Sequence, residues 1–285
     1  MNPTRRKDIK HLEAVPLVPF FSYVQSLKIK GTFESKSLMT LKTDGVSIKF
    51  GRNMDGLFFM ETARSGVVYN GNAFTIFAIA NGKDLALAEK YSVLFNYLEY
   101  FVDQTFPQVL WNFKVCSEVL FNKMGEVRNK DTIKFIHLTY SFPKLGEILT
   151  IFPYAVQYDD GTSHFYTDSI MKKMLNNSNE EIMVCNPRLD CSAVELPQII
   201  RVLWSYDYDI QEHLEGEPNT RLPLVYQKHT REAAVELRDS ILVALHSGKI
   251  PGYYSTGPAQ EGVVVTTKHL TFKVTEPAFR EMIKK

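Results

Sequence analysis

Residues 41–52 read LKTDGVSIKFGR, in which the pair Asp44-Gly45 separates two apolar, strand-like segments. Asp-Gly is a common connection between the two strands of a β-hairpin. The alternating apolar residues after the turn predict a strand that buries one face. Lys42 stands at the end of the first segment, two residues before Asp44, where a lysine is ordinarily solvated. The stretch therefore predicts paired antiparallel strands with a lysine beside the turn.

Strand-like segments recur on both sides of one helical pattern. The stretches LMTLKT, VSIKFGR, GLFFMETA and GVVYN, from Ser37 to Tyr69, predict an antiparallel meander. Apolar residues at helical spacing over 83–102 predict a helix capped at Asp84. Further strands are predicted at 115–121, 133–140 and 148–158, followed by a short helix over 166–175. This order of strands and helices predicts an α+β fold.

The pattern is mixed over residues 176–227. The pattern in 196–210 fits a helix or a strand, whereas 231–247 predicts a helix that is capped by Thr230 and ends at Gly248. Two strands are predicted within 261–274. We expect one domain over residues 1–285, with a helical accessory insertion at about 176–250.

Composition excludes several classes of protein. The chain has 285 residues, 45% of them apolar, which is enough for a sizeable core. Its 32 acidic and 33 basic residues nearly cancel, so overall charge does not indicate a nucleic-acid binder. No apolar run approaches the roughly 20 residues of a membrane helix. We expect a cytoplasmic protein with no membrane partner, in the host cytoplasm if the chain is viral, and with reduced cysteines.

Familiar catalytic and metal-binding motifs are missing from the sequence. It has no CxxC or HExxH pair that would predict zinc, and no GxSxG element of a serine hydrolase. It also lacks GxxxxGK[ST], so a bound nucleotide would not be held by a P-loop.

The KTDG quartet at Lys42 is followed by other short segments in a defined order. They are TARSG (62–66), SEVL (117–120), IFPYAV (151–156), EGVVV (261–265) and FKV (272–274). In this order the sequence resembles the covalent nucleotidyltransferases, the superfamily of ATP-dependent polynucleotide ligases and messenger-RNA capping enzymes. The resemblance spans residues 38–279. It implies an ATP-grasp-like ligase fold of antiparallel sheets flanked by helices.

The resemblance implies a covalent role for Lys42. Its amine would attack the α-phosphate of ATP, release pyrophosphate and form a lysyl-AMP. A lysine must be neutral to do this although its reference pKa is about 10.4, so cations, a metal and desolvation must lower the pKa. Asp44 would orient the lysine, or the 3′ end and a metal.

The resemblance also implies binding roles for other residues. Arg64 would bind phosphate, Glu118 would accept a hydrogen bond from the ribose, and Tyr154 or Phe152 would stack on the base. The α-phosphate would contact Lys273 and Lys268, while Glu261, with Glu118, would hold Mg²⁺ or Mn²⁺. The full set of nucleotide-binding residues is Leu41, Lys42, Arg64, Glu118, Phe152, Tyr154, Lys268 and Lys273.

Each of these residues has an ordinary structural alternative. Glu118 could be an exposed strand glutamate, and the two aromatic side chains could simply belong to the core. Arg64 could pair with Glu61 on the surface. Lys268 lies in a predicted turn and could be solvated.

Two departures from the family pattern bear on the choice within it. Ser47 stands where nick-sealing ligases and capping enzymes usually place an arginine, although Arg52 could approach the same space. Thr275 stands where another lysine is common. The pattern is most similar to phage-type RNA ligases, which favours RNA over DNA as the partner. The alternatives are a nick-sealing DNA ligase, a capping guanylyltransferase, or a nucleotide-binding viral accessory protein without activity.

The chain ends 12 residues after Lys273. We therefore expect no C-terminal oligonucleotide-binding barrel after the last motif. Substrate grip would come from a basic groove of the chain itself or from a protein partner, and we expect a monomer.

Overall fold

The structure is a computed structural model. It describes residues 9–43, 46–62, 65–82, 85–106, 113–123, 147–158, 163–164, 168–178, 182–206, 222–251, 253 and 260–277. Helices and mainly antiparallel sheets make up these residues, so the chain is α+β. The described residues form two compact units. The first lies within Thr43–Pro187, and the second lies within Asp8–Lys42 and Arg188–Lys285.

The second unit is built on a four-stranded sheet in the order β11-β10-β1-β9. Its strands are β1 (Ser37–Thr43), β9 (Arg188–Leu189), β10 (Gln260–Thr267) and β11 (Thr271–Thr275). Its helices are α1 (Leu17–Leu27), α5 (Gln198–Trp204) and α6 (Leu224–His246), with short 3₁₀ turns at Leu12–Ala14 and Glu34–Lys36. Fully buried apolar side chains of α1, α6 and β11, such as Phe20, Leu237 and Phe272, form its core.

The first unit is built on a seven-stranded sheet in the order β4-β3-β2-β5-β6-β7, with β8 paired in parallel to β6. The strands are β2 (Val46–Arg52), β3 (Phe58–Thr62), β4 (Gly66–Val68), β5 (Phe113–Lys123), β6 (Glu147–Tyr158), β7 (Ser163–His164) and β8 (Ile182–Val184). Its helices are α2 (Asn72–Ala80), α3 (Leu85–Thr105) and α4 (Asp168–Asn176). One core joins the three helices to one face of this sheet.

Most predicted elements are present where the structure describes them. The helices predicted at 83–102 and 166–175 correspond to α3 and α4. The segment 196–210, for which helix and strand were both possible, contains the helix α5. The strand predicted at 133–140 and the cap at Asp84 lie outside the described residues. The division into two compact units does not test the prediction of a single domain with an accessory insertion, which stays a prediction.

Two of the predictions were wrong. The meander was predicted to include four strands, but only β2, β3 and β4 follow it, because β1 pairs with β9 in the other sheet. Thr230 does not cap a helix. The helix α6 begins at Leu224, and the Thr230 hydroxyl donates to the Tyr226 carbonyl one turn earlier.

Two helices were not predicted. In α1 the apolar positions cover most of the surface, and five of its eleven residues are buried. In α2 only Phe74 and Ala78 are buried, while Ile76 and Ile79 are exposed. Neither segment has the polar face that makes an amphipathic helix recognisable. No helix among the described residues is long and apolar enough to cross a membrane.

Candidate active site

Lys42 is buried at the end of β1. The residue is 7% exposed, and its ammonium forms an ion pair with the carboxylate of Glu261, the residue that begins the EGVVV segment. Glu261 is itself only 9% exposed. The two motifs lie more than 200 residues apart in the sequence. A buried charge is costly unless it is paired, so each of these side chains depends on the other.

Gly262 fixes the backbone beside Glu261. Its φ is +140°, a conformation that residues with a side chain rarely adopt. It lies opposite Thr275 in the β10-β11 pair, and a Cβ at this position would lie 2.1 Å from the Val274 carbonyl oxygen. The residue that follows β11 also holds Glu261, because the Glu276 N–H donates to the Glu261 carbonyl at 2.9 Å. Only glycine allows this close approach of the two strands.

The two predicted phosphate-binding lysines occupy different positions on the same hairpin. Lys273 lies in β11 opposite Val264, is partly buried, and its N–H donates to the Lys10 carbonyl at 3.0 Å. Lys268 is exposed in the turn between the two strands. This exposure agrees with the alternative that Lys268 is an ordinary solvated lysine. Beside it, burial lowers the pKa of His269, and the charges of Lys268 and Lys36 lower it further.

Glu118 is buried in β5. It is 3% exposed, so the alternative of an exposed strand glutamate is wrong. Its Oε2 accepts hydrogen bonds from the Thr43 N–H at 3.2 Å and from the Thr43 hydroxyl at 2.7 Å. Glu118 therefore anchors the residue that follows Lys42 in the chain. Its predicted contacts with a ribose and a metal stay predictions.

This anchor can be tested for its contribution to stability. In Thr43→Val the side chain keeps its shape but loses the hydroxyl that donates to the buried Glu118 carboxylate. We expect a loss of about 1–3 kcal/mol in the free energy of unfolding, since a hydrogen bond to a buried charged group is removed. Urea unfolding would measure it, with Thr266→Val, at a partly exposed position in β10, as the control. Equal stability of Thr43→Val and the native chain would contradict the anchor.

The two aromatic candidates lie on β6 near Glu118. Phe152 is directly opposite Glu118 in the β5-β6 pair. The register of this pair shifts at a β-bulge between Cys116 and Ser117. Tyr154 lies at this irregularity, packs with Cys116 and Ala155, and its hydroxyl is 3.4 Å from the Ser47 hydroxyl. Bulges re-aim side chains and are common beside active sites. Both rings are 7% exposed, and which of them would stack on a base stays a prediction.

Other predicted site residues stand as follows. Leu41 is 6% exposed, next to Lys42 in β1. Asp44 and Arg64 lie outside the described residues. Within the described ranges, no group of three or more histidine, cysteine, aspartate or glutamate side chains could hold a metal ion. Mg²⁺ can be bound by one or two carboxylates together with substrate phosphates, and Glu261 stays a predicted metal ligand of this kind.

A third buried carboxylate was not predicted. Glu276, 9% exposed, accepts hydrogen bonds from the Tyr253 hydroxyl and contacts His246 Nε2 at 2.6 Å. Burial is the largest cause that raises the pKa of Tyr253, and Glu276 raises it further. These three residues are far apart in the sequence and belong to no recognisable motif. The network links His246, at the end of α6, to Glu276, whose N–H donates to the Glu261 carbonyl.

Comparisons with known proteins give limited information. No family model matches the sequence, and no curated protein matches it. Similar solved structures include two forms of an archaeal ATP-dependent RNA ligase. They have TM-scores of 0.33 and 0.31 and sequence identities of 14% and 16%, and the matches cover 94% of this chain. The chain spans about half of the length of those structures, 47% in each case. Scores this low assign neither a fold nor a function.

Proposed function

We propose that this protein is an ATP-dependent polynucleotide ligase of the nucleotidyltransferase fold. It would join 5′-phosphate to 3′-hydroxyl ends through a covalent lysyl-AMP on Lys42, and RNA is the proposed substrate. Three steps make up the proposed cycle: transfer of AMP to Lys42, transfer of AMP to the 5′-phosphate, and attack by the 3′-hydroxyl with release of AMP.

One observation carries the proposal, the buried ion pair between Lys42 and Glu261. A lysine beside an Asp-Gly turn is ordinarily solvated, yet Lys42 is 7% exposed. Its partner is Glu261 of the EGVVV motif, which together with KTDG is the most specific part of the family resemblance. A nucleophile must be held in one orientation, and a paired carboxylate does this for an amine. A solvated turn lysine would need no such partner.

The first step follows from this contact. The Lys42 ammonium must give up a proton to solvent to expose its lone pair. This also releases the Glu261 carboxylate from the ion pair, so that it can hold a metal ion. The amine nitrogen then forms a bond to the α-phosphorus as the bond from that phosphorus to the bridging oxygen breaks. Pyrophosphate leaves with the electron pair, and the nitrogen gives its second proton to the departing pyrophosphate or to solvent, which leaves the phosphoramidate.

Charge on the phosphates must be balanced in this step. Lys273, Lys268 and Arg64 are the proposed cations, because electrostatic groups that meet developing charge supply a large part of catalysis. Mg²⁺ or Mn²⁺, held by Glu261 and the phosphates, would supply further charge neutralisation. The assignments rest on the family resemblance and on the position of Lys273 in the same β10-β11 hairpin as Glu261.

The preference for RNA is supported by Ser47. Nick-sealing enzymes usually have an arginine at the corresponding position, whereas the Ser47 hydroxyl here lies beside the Tyr154 hydroxyl. A nick-sealing DNA ligase or a guanylyltransferase remains the alternative enzyme.

The proposal is tested by labelling and by ligation. Incubation with [α-³²P]ATP and Mg²⁺ is expected to leave label on the denatured protein, whereas [α-³²P]GTP is not. A panel of 5′-phosphorylated single-stranded RNA, single-stranded DNA and nicked duplex DNA then identifies the substrate, with RNA expected to be joined fastest. Labelling by GTP alone would identify a guanylyltransferase. Nucleotide binding without any covalent label would favour a non-enzymatic nucleotide-binding protein.

A further inference from the structure

We propose that Lys49 and Lys114 bind the phosphates of a nucleic-acid strand on the sheet face of the first unit that is opposite α2, α3 and α4. These lysines, together with Glu61 and Gln157, are here called the lysine strip. The inference rests on the proposed function and adds the place where the substrate strand is held. None of the four residues belongs to the motifs that carry the family resemblance.

Strand register places the strip on the face away from the helices. In β2, Ile48 and Phe50 belong to the core beneath the helices, so the alternate residue Lys49 points to the opposite face. Across the sheet, Lys49 lies opposite Glu61 of β3. Lys114 of β5 lies opposite Gln157 of β6. The four side chains therefore share one face and cross four neighbouring strands.

Direct contacts link the four side chains. Lys114 Nζ lies 3.0 Å from Glu61 Oε2, and Lys49 Nζ lies 3.8 Å from Glu61 Oε1. Lys49 also donates to Gln157 Oε1 at 3.3 Å. Two lysines thus share one carboxylate, which leaves the strip with a net charge of +1. The charged side chains are 23–27% exposed, so they are held in place yet remain open to solvent.

The position of the strip favours a strand over a single phosphate group. On the same face, Ser47 lies opposite Glu118, and Tyr154 contacts Ser47. Lys49 is two residues farther along β2 than Ser47, about 7 Å at the usual rise of a strand, and Lys114 is about 14 Å from Glu118 along β5. A ligand that reaches both the candidate nucleotide-binding residues and Lys114 must be extended. A polynucleotide strand carries a negative phosphate at every residue along such a length.

The principal experiment removes the two charges. We expect the double variant Lys49→Gln, Lys114→Gln to bind a 5′-phosphorylated single-stranded RNA about tenfold more weakly, because two phosphate contacts are lost. The slope of log K against log salt should become shallower by about 1.4, since each contact with a single strand contributes about 0.7. Fluorescence anisotropy at several salt concentrations would measure both quantities. Lys172→Gln, at an exposed lysine of α4, is the matched control and should bind like the native chain.

A second variant makes a prediction of opposite sign. Glu61→Gln removes the carboxylate that the two lysines share and raises the net charge of the strip from +1 to +2. We expect RNA to bind several-fold more tightly to this variant. If the four residues only stabilise the sheet, the double variant and Glu61→Gln would both lower the free energy of unfolding. Glu61→Gln would then not raise the affinity for RNA.

Two further measurements decide between sources of the phosphate. RNA with a 5′-hydroxyl should lose affinity in the double variant to the same extent as 5′-phosphorylated RNA, since the proposal concerns the strand. Labelling of Lys42 by ATP should be unchanged in the double variant. Unchanged RNA affinity, or a loss confined to ATP labelling, would overturn the inference. Absence of any Lys42 label in the native chain would contradict the proposed function while leaving the RNA measurement intact.

Discussion

Lys42→Ala is expected to abolish covalent labelling of the protein by ATP. The variant removes the amine that would form the bond to the α-phosphorus, and no other residue is proposed to replace it. The expected loss is to background, rather than the partial loss that removal of a binding group would cause. Labelling with [α-³²P]ATP followed by denaturing electrophoresis measures this loss. Undiminished label in the variant would contradict the assignment of Lys42 as the nucleophile.

The control for this variant is set by the ion pair. Lys42→Ala leaves the buried Glu261 carboxylate without its cation, and breaking a buried pair costs about 3–5 kcal/mol in stability. Lys42→Arg keeps a positive charge beside Glu261, yet a guanidinium stays protonated and is no nucleophile. We expect Lys42→Arg to fold and to remain unlabelled. A folded, unlabelled Lys42→Arg separates the loss of chemistry from the loss of structure.

Gly262→Ala is expected to be strongly destabilising. Its Cβ would lie 2.1 Å from the Val274 carbonyl oxygen and 2.9 Å from the Thr275 Cα, so backbone atoms must move. The φ of +140° adds conformational strain. We expect a loss on the order of 3 kcal/mol or more in the free energy of unfolding. Because Gly262 directly follows Glu261, covalent labelling should also fall in whatever fraction remains folded.

Gly248→Ala provides the matched comparison. Gly248 follows the end of α6 with a φ of +70°, and a Cβ there would meet no atom within 4 Å. Its substitution costs the left-handed conformation alone, about 1 kcal/mol. Urea unfolding of the two variants should therefore differ by about 2 kcal/mol or more. Equal stabilities would show that the close approach of β10 and β11 does not constrain residue 262.

The sequence predicts the elements with a clear period better than the elements without one. The amphipathic pattern of α3 and the alternation in β2 can be read directly, because one face of each is buried. Apolar segments such as α1 lack that contrast. The pairing of β1 could not be predicted either. Its neighbours β9 and β10 lie more than 140 residues later, and an Asp-Gly turn predicts a local hairpin.

The candidate site shows the same division. The KTDG and EGVVV motifs indicated Lys42 and Glu261, and the structure brings these two side chains into contact. Sequence could not show that Glu118 holds Thr43, or that Glu276 joins Tyr253 and His246, because such contacts depend on tertiary packing between distant segments. The burial of Glu118 decided against an exposed strand glutamate, whereas the exposure of Lys268 fits an ordinary turn lysine.

The residue that carries the nucleotide tests the proposed mechanism most directly. The native protein should be incubated with ATP and Mg²⁺, digested at a pH that preserves the acid-labile phosphoramidate, and its peptides sequenced by mass spectrometry. We expect one AMP, attached to Lys42 in the peptide that contains KTDG. AMP on any other residue, or a fully folded protein that binds ATP and carries no AMP, would contradict it.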